Sequence, residues 1–215
     1  AVGTSQVPFH REGSRTSPCL MEVQALRGVF DVPVVVLTAP LDATAVARLG
    51  PREAEAVARA RDERRCEFAT GRWLAREALA RLGIHDFELL RGADRAPIWP
   101  PGIAGSITHS DERAVAAVGR RAEVGTVGVD LEHRPGLPAR LWRPTLRPEE
   151  RSALAALPRE ARERWALTAF SVKEALYKAQ YPVSGEYMGF SDLFVEVPGK
   201  LSAPDGPGEL RCVFQ

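Results

Sequence analysis

Thr126-Val127-Gly128-Val129-Asp130-Leu131-Glu132 alternates without a break. On an extended chain successive side chains point to opposite sides, so Val127, Val129 and Leu131 share one face and Gly128, Asp130 and Glu132 the other. The pattern predicts a strand with one apolar and one acidic face. A Pro-rich loop, Arg134 to Pro148, follows it, and then the longest helix candidate, opened by Pro158 and running to about Ala179. Upstream, Ile107 and Ala114 to Val118 read as short strands around a turn at Asp111-Glu112. A further strand lies around Val32 to Leu37. Pro51 opens a helical run with acids in its first turn, and a second helix from about Cys66 to Leu82 stops at Gly83. From Phe190 to Gln215 short strands alternate with Gly/Pro turns. Helices thus stand before or between β segments in each half, and the fold class is α+β. No sequence repeat is visible, so any symmetry between the halves has to be structural.

The 215 residues are enough to bury a core without staples, and 45% hydrophobic with 27% charged residues is ordinary for a globular protein. The 29 basic and 28 acidic residues nearly cancel, which gives no global field for nucleic acid. Cys19, Cys66 and Cys212 are too scattered for a disulfide framework or a zinc cluster. No apolar run approaches a membrane span, and the first twenty residues are polar rather than basic then apolar. These features predict a cytoplasmic protein without membrane or nucleic-acid partners. Residues 1–20 read as a flexible arm or expression remnant.

Three segments carry candidate chemistry beside the acidic strand face. Asp130 and Glu132, two apart, stand side by side and can converge on one hard cation, while Gly128 leaves room there for a bulky ligand. An acidic solvent-facing edge strand explains the same pattern. Within Phe170-Ser171-Val172-Lys173-Glu174-Ala175-Leu176-Tyr177-Lys178, Glu174 and Lys178 share a helical face. That spacing also suits a plain surface ion pair. However, Lys173 and Lys178 are the only lysines before residue 200, in a chain that otherwise writes arginine, and their neighbours are apolar. A lysine is a compact, movable charge that can yield a proton, which arginine is not. Gly105-Ser106-Ile107-Thr108-His109-Ser110 offers hydroxyls and an imidazole to phosphate oxygens, or a hydrogen-bonded turn with a satisfied histidine. Arg64, Arg65, Arg72 and Arg76 suit phosphate as guanidinium forks, or form a solvated helix face.

Taken in order, these segments resemble the 4′-phosphopantetheinyl transferase superfamily, Sfp type. Gly128-Val129-Asp130-Leu131-Glu132 is similar to its G-(I/V)-D-x-E segment, and Phe170 to Lys178 to its (F/W)-(S/T)-x-K-E-(S/A)-x-x-K signature. Gly105 to Ser110 resembles its G-S-(I/L)-(S/T)-H-(S/T) segment. Trp99-Pro100-x-Gly102 and the Arg-Arg-x-x-Phe-x-x-Gly-Arg run from Arg64 to Arg72 are similar to the enterobactin-synthetase branch. The resemblance implies transfer of the phosphopantetheine arm of coenzyme A to a serine of an apo acyl, polyketide or peptidyl carrier protein, with release of adenosine 3′,5′-bisphosphate. It implies Mg²⁺ on Asp130, Glu132 and Glu174, with water completing the shell opposite Leu131. Glu174 would also be the general base, directly or through water. Lys173 and Lys178 would hold phosphate oxygens, with Lys178 stabilising the leaving group. Ser106 and His109 would contact phosphate, Arg64 and Arg72 the 3′-phosphate and adenine side, and Arg95 a further phosphate.

The implied fold is two similar α+β halves, residues 21–120 and 121–215, with a boundary near Gly119 to Gly125 and the coenzyme at their junction. A monomer is expected. The loop carrying Arg134, Arg140, Arg143 and Arg147 with Leu137, Leu141 and Trp142 is a candidate docking surface for the acidic helix of a carrier. The rival readings are a non-catalytic phosphate binder, a nucleic-acid module using its arginines, and a metal-dependent nuclease using the acidic strand.

Overall fold

The computed structural model describes residues 24–26, 31–196 and 212–214; the arm expected over residues 1–20 lies outside them. Four antiparallel strands, β1 (Gln24–Leu26), β2 (Val35–Pro40), β3 (Ile103–His109) and β4 (Arg113–Arg120), form a sheet in the order β1-β2-β4-β3. β3 and β4 are a hairpin turning through Asp111-Glu112, closed by Ser110 N–H on the Arg113 carbonyl at 2.8 Å.

Helix α1 (Pro51–Ala56) starts with proline at a position whose N–H needs no partner, and the Glu53 carboxylate turns back to the Gly50 N–H at 2.9 Å. α2 (Asp62–Arg81) begins four residues before the expected start, because Asp62 and Glu63 supply the acidic first turn. It ends at Gly83, whose φ of +80° glycine adopts without steric cost. α2 lies across one face of the sheet, where Trp73, Leu74, Ala78 and Leu79 pack on Leu37, Ala116 and Val118. Each large apolar side chain so buried contributes roughly 1.5–3 kcal/mol.

The other sheet face is covered by the segment expected to be a strand. Thr126 to Glu132 is not in a sheet: Val127 and Val129 pack face-on against Val36, Ala104, Val115 and Ala117 rather than extending an edge. The period-two alternation is nevertheless expressed, since Val127 and Val129 are buried and Gly128 and Asp130 only partly.

After the short α3 (Arg121–Val124), the Pro-rich loop contains a 3₁₀ turn (Ala139–Leu141) and α4 (Trp142–Thr145). α5 (Pro148–Ala155) and α6 (Arg159–Ser184) follow, then a two-stranded pair, β5 (Leu193–Val195) with β6 (Cys212–Phe214). Trp165, Ala166 and Ala169 of α6 close a separate core with Leu137, Leu146, Leu154 and Val195. The architecture is mixed α+β. Among the described residues no helix is long and apolar enough to cross a membrane.

Candidate active site

The site is set by how closely α6 crosses segment 126–132. A Cβ on Gly128 would strike the Ala175 carbonyl of α6, and the Thr126 hydroxyl donates to the Ala179 carbonyl at 2.5 Å. The room at Gly128, expected to serve a ligand, is therefore filled by the helix backbone. From β3, the Ser106 hydroxyl accepts the Val129 N–H at 3.1 Å, which fixes the height of Asp130.

Asp130 is consequently held between two elements, β3 and α6. Its Oδ1 accepts from the Lys178 ammonium at 2.5 Å and from the Thr108 hydroxyl at 3.1 Å, and Lys178 also lies 3.4 Å from that hydroxyl. Its Oδ2 is buried and has no hydrogen-bond partner. A buried carboxylate oxygen left unpaired is costly, and it is where a cation would be taken up. Glu174, one turn before Lys178, is half-buried. Burial pushes its carboxyl above the ordinary range, Asp130 and Glu132 push the same way, and Lys178 opposes them. Glu132 pairs with Arg134 at 2.9 Å. Three carboxylates that repel one another, one with an orphaned oxygen, are a donor set suited to a hard divalent cation. As placed, though, no three metal-ligating side chains among the described residues form a group that could hold an ion; Glu132 is paired with Arg134 and Asp130 with Lys178.

β3 alternation separates the next pair. Ser106 and Thr108 face Asp130, whereas His109 faces α2, where Arg64 donates to its Nε2 at 2.7 Å. Glu67 lies 3.5 Å from the same nitrogen. A guanidinium only donates, so Nε2 accepts and the ring is neutral. Consistent with this, burial lowers the His109 pKa, with Arg64 and Lys178 adding to the effect against Glu67 and Asp111. Arg72, 5% exposed, lies over the Phe68 ring at 4.4 Å with its Nε unpartnered. Burial lowers its pKa to about 10, and Arg64, Arg91 and Arg76 push it further down while Glu53 opposes. A buried cation among cations is a place for an anion. Arg95, at a left-handed φ of 73°, lines a cavity of about 560 Å³ with Trp99, Ser106, Tyr177 and Lys178.

Two family models match the chain. One, the 4′-phosphopantetheinyl transferase N-terminal domain, covers residues 52–119, and the other, the 4′-phosphopantetheinyl transferase superfamily, covers residues 126–202. Among curated proteins, the 4′-phosphopantetheinyl transferase Svp of Streptomyces mobaraensis is 42% identical over 148 residues, 68% of this chain and 60% of that protein. The 4′-phosphopantetheinyl transferase PptT of Mycobacterium tuberculosis is 40% identical over 147 residues, 67% of this chain and 63% of that protein. The chain belongs to the 4′-phosphopantetheinyl transferase superfamily. A third relative, the enterobactin synthase component D of Salmonella typhi, is 36% identical over 122 residues, 54% of this chain and 48% of that protein. The match thus spans less than two thirds of these relatives' lengths.

Within this superfamily member, one expected phosphate ligand is not where a phosphate ligand should be. Lys173 is 1% exposed and donates to Glu150 at 2.7 Å, to the Phe190 carbonyl at 3.0 Å and to the Thr145 carbonyl at 3.1 Å. The structure thus does not bring the Lys173 ammonium to Asp130 as the expected phosphate ligand; it bonds within the C-terminal part, to Glu150, Thr145 and Phe190. The docking surface is corrected in part. Leu137 is buried, Leu141 and Trp142 pack on the same core with the Trp142 indole donating to the Leu137 carbonyl at 2.8 Å, and only Arg140 and Arg143 are exposed beside Arg134.

Two residues of consequence were missed by sequence reasoning. Thr108 shares the strand face of Ser106 by simple alternation, so the signal was present. Glu150 sits in an unremarkable Pro-Glu-Glu-Arg run, where nothing separates it from its exposed neighbour Glu149.

Proposed function

We propose that this protein transfers the 4′-phosphopantetheine arm of coenzyme A to a serine of an apo acyl or peptidyl carrier protein and releases adenosine 3′,5′-bisphosphate. The observation that carries this reading is Asp130, partly buried with one buried, orphaned oxygen, ion-paired to Lys178 and flanked by the raised carboxyl of Glu174. Superfamily membership implies dependence on coenzyme A and Mg²⁺. Asp130, Glu132 and Glu174 would hold the ion. When bound, it neutralises the pyrophosphate and polarises the attacked phosphorus.

The chain's own groups account for the remaining requirements. The carrier serine oxygen bonds to the phosphorus bearing the pantetheine arm as the bond from that phosphorus to the bridging oxygen of adenosine bisphosphate breaks. The serine proton passes to Glu174, directly or through water, a role that a carboxyl raised by burial suits. Lys178 lies beside the departing phosphate. Arg72 and the Arg64–His109 pair would hold the 3′-phosphate side, and Arg95 and Ser106 the wall of the 560 Å³ cavity where the coenzyme lies.

We further read the chain as two similar halves, residues 21–120 and 121–215, with the coenzyme at their junction. The gap between the family models, after residue 119 and before residue 126, supports that boundary. Arg140 and Arg143 are the exposed cations left for an acidic carrier helix, and a cytoplasmic monomer is the working form this reading assumes.

Intact-protein mass spectrometry of several apo carriers, incubated with coenzyme A, Mg²⁺ and this protein, tests the function. The expected result is the gain of one phosphopantetheine, abolished by EDTA. No gain on any carrier together with no binding of coenzyme A overturns the proposal.

A further inference from the structure

The Lys173–Glu150 pair has a counterpart in the N-terminal part of the chain. There Glu53, 1% exposed, accepts from the Gly50 N–H, from Arg76, and from the Leu89 N–H at 3.0 Å, while Arg76 also donates to the Arg48 carbonyl at 2.7 Å. Glu150, 0% exposed, accepts from the Arg147 N–H at 2.7 Å, from Lys173, and from the Val195 N–H at 2.7 Å, while Lys173 also donates to the Thr145 carbonyl. Arg48 and Thr145, Gly50 and Arg147, Glu53 and Glu150, Arg76 and Lys173 are each 97 positions apart. Arg76-Glu77-Ala78-Leu79 thereby aligns with Lys173-Glu174-Ala175-Leu176. The same clamp, a buried carboxylate tying a short helix, a long helix and the returning chain, occurs twice.

The two copies differ in what they hold. Glu77, after Arg76, is exposed, whereas Glu174, after Lys173, is half-buried against Asp130 and Glu132. The C-terminal clamp also has an arm that its counterpart lacks, the bond from Lys173 to the Phe190 carbonyl. Phe190, with Tyr177, Tyr187 and Met188, walls a cavity of about 110 Å³ onto which Glu174 opens.

We propose that Glu150 is a positioning residue for the transfer reaction: acting through Lys173, it fixes the rotation of α6 that sets Glu174 and Lys178 against Asp130 and fixes the Phe190 wall beside them. The inference rests on the transferase reading above. Glu150 and Lys173 do not line the 560 Å³ cavity given to the coenzyme, and Lys173 reaches only the smaller cavity beside Glu174, so the effect falls on kcat rather than on coenzyme affinity, because small misplacements of reacting groups cost rate steeply.

The second clamp supplies the control. Glu150→Gln and Glu53→Gln remove equivalent bonds and should lower the melting temperature by similar amounts. Glu150→Gln should lower kcat by about tenfold or more, with the KM for coenzyme A and the calorimetric affinity for adenosine 3′,5′-bisphosphate within about threefold. Glu53→Gln should leave kcat within about twofold. Lys173→Arg, which reproduces the cation at Arg76, should keep at least about half of kcat, and Lys173→Met should lose it by about tenfold or more. Unimpaired kcat in Glu150→Gln, an equal kcat loss in Glu53→Gln, or equal kcat in the two Lys173 variants overturns the inference. If Glu150→Gln does not fold, the two Lys173 variants decide. A wild-type protein inactive on every carrier overturns the transferase reading and this inference with it, whereas an active wild type with an unimpaired Glu150→Gln overturns this inference alone.

Discussion

Burial acts on the acids of the site in different ways, and each way gives a measurable consequence. Asp130 spends one oxygen on Lys178 and Thr108 and keeps the other buried and unpartnered. Asp130→Asn keeps the shape and removes the charge. We expect Mg²⁺-dependent transfer to fall by about 100-fold or more, with the melting temperature within about 2 °C of wild type; an active Asp130→Asn protein removes the metal assignment. Glu174 has its pKa raised by burial, so the folded protein binds a proton more readily than the unfolded chain there. Stability from this group is present at pH below the ordinary carboxylate range and is lost as pH rises through the raised value. In metal-free buffer Glu174→Gln should therefore melt higher than wild type at neutral pH, by roughly a degree or more, and the gap should close on acidification. Lys173 and Lys178 gave the same signal in the sequence, rare lysines among arginines. Helix geometry distinguishes them: at 3.6 residues per turn, five positions put them about 140° apart, while Glu174 and Lys178 are about 40° apart. Both cannot face Asp130, and the outcome follows the angle.

For the elements, the period-two reading of Thr126 to Glu132 correctly assigned faces and wrongly assigned a sheet. Alternation reports which side is apolar. It does not report whether the apolar side meets a neighbouring strand edge or the broad face of a sheet, and here Val127 and Val129 lie on the face. The hairpin, both long helices and the C-terminal strand pair were legible because their proline starts, glycine stops and turn residues are local signals. The burial of Glu150 was not, since it depends on Val195 returning from 45 residues away. Gly128 tests the crossing itself. Gly128→Ala pushes the segment off the α6 backbone, and overpacking of this kind costs about 1–3 kcal/mol. A urea midpoint lowered to match, with transfer falling more than stability alone accounts for, is expected; an unchanged midpoint shows that the crossing is looser than described.

On the scale of the molecule, the N-terminal part presents basic and hydroxyl groups and the C-terminal part presents the acids, so the candidate site exists only where β3 and α6 meet. In the sequence that meeting was expected only through the family resemblance, and the repeated clamp is invisible there until its bonds fix the alignment. Docking belongs to this scale too. Reversing the charge of Arg140 and Arg143 together should raise the carrier KM by about tenfold in low salt, less at high salt, and leave the coenzyme KM unchanged; an unchanged carrier KM removes these two residues from the docking surface. The two clamps have one more consequence. From Arg76 back to Leu89 the chain needs 13 residues, and from Lys173 back to Val195 it needs 22. The longer return carries Tyr187, Met188 and Phe190 past Glu174. Framework and lining are thus separable parts: residues 186–189 can be exchanged like a panel, reshaping the chamber beside Glu174 while the beams at Glu53 and Glu150 keep the building standing.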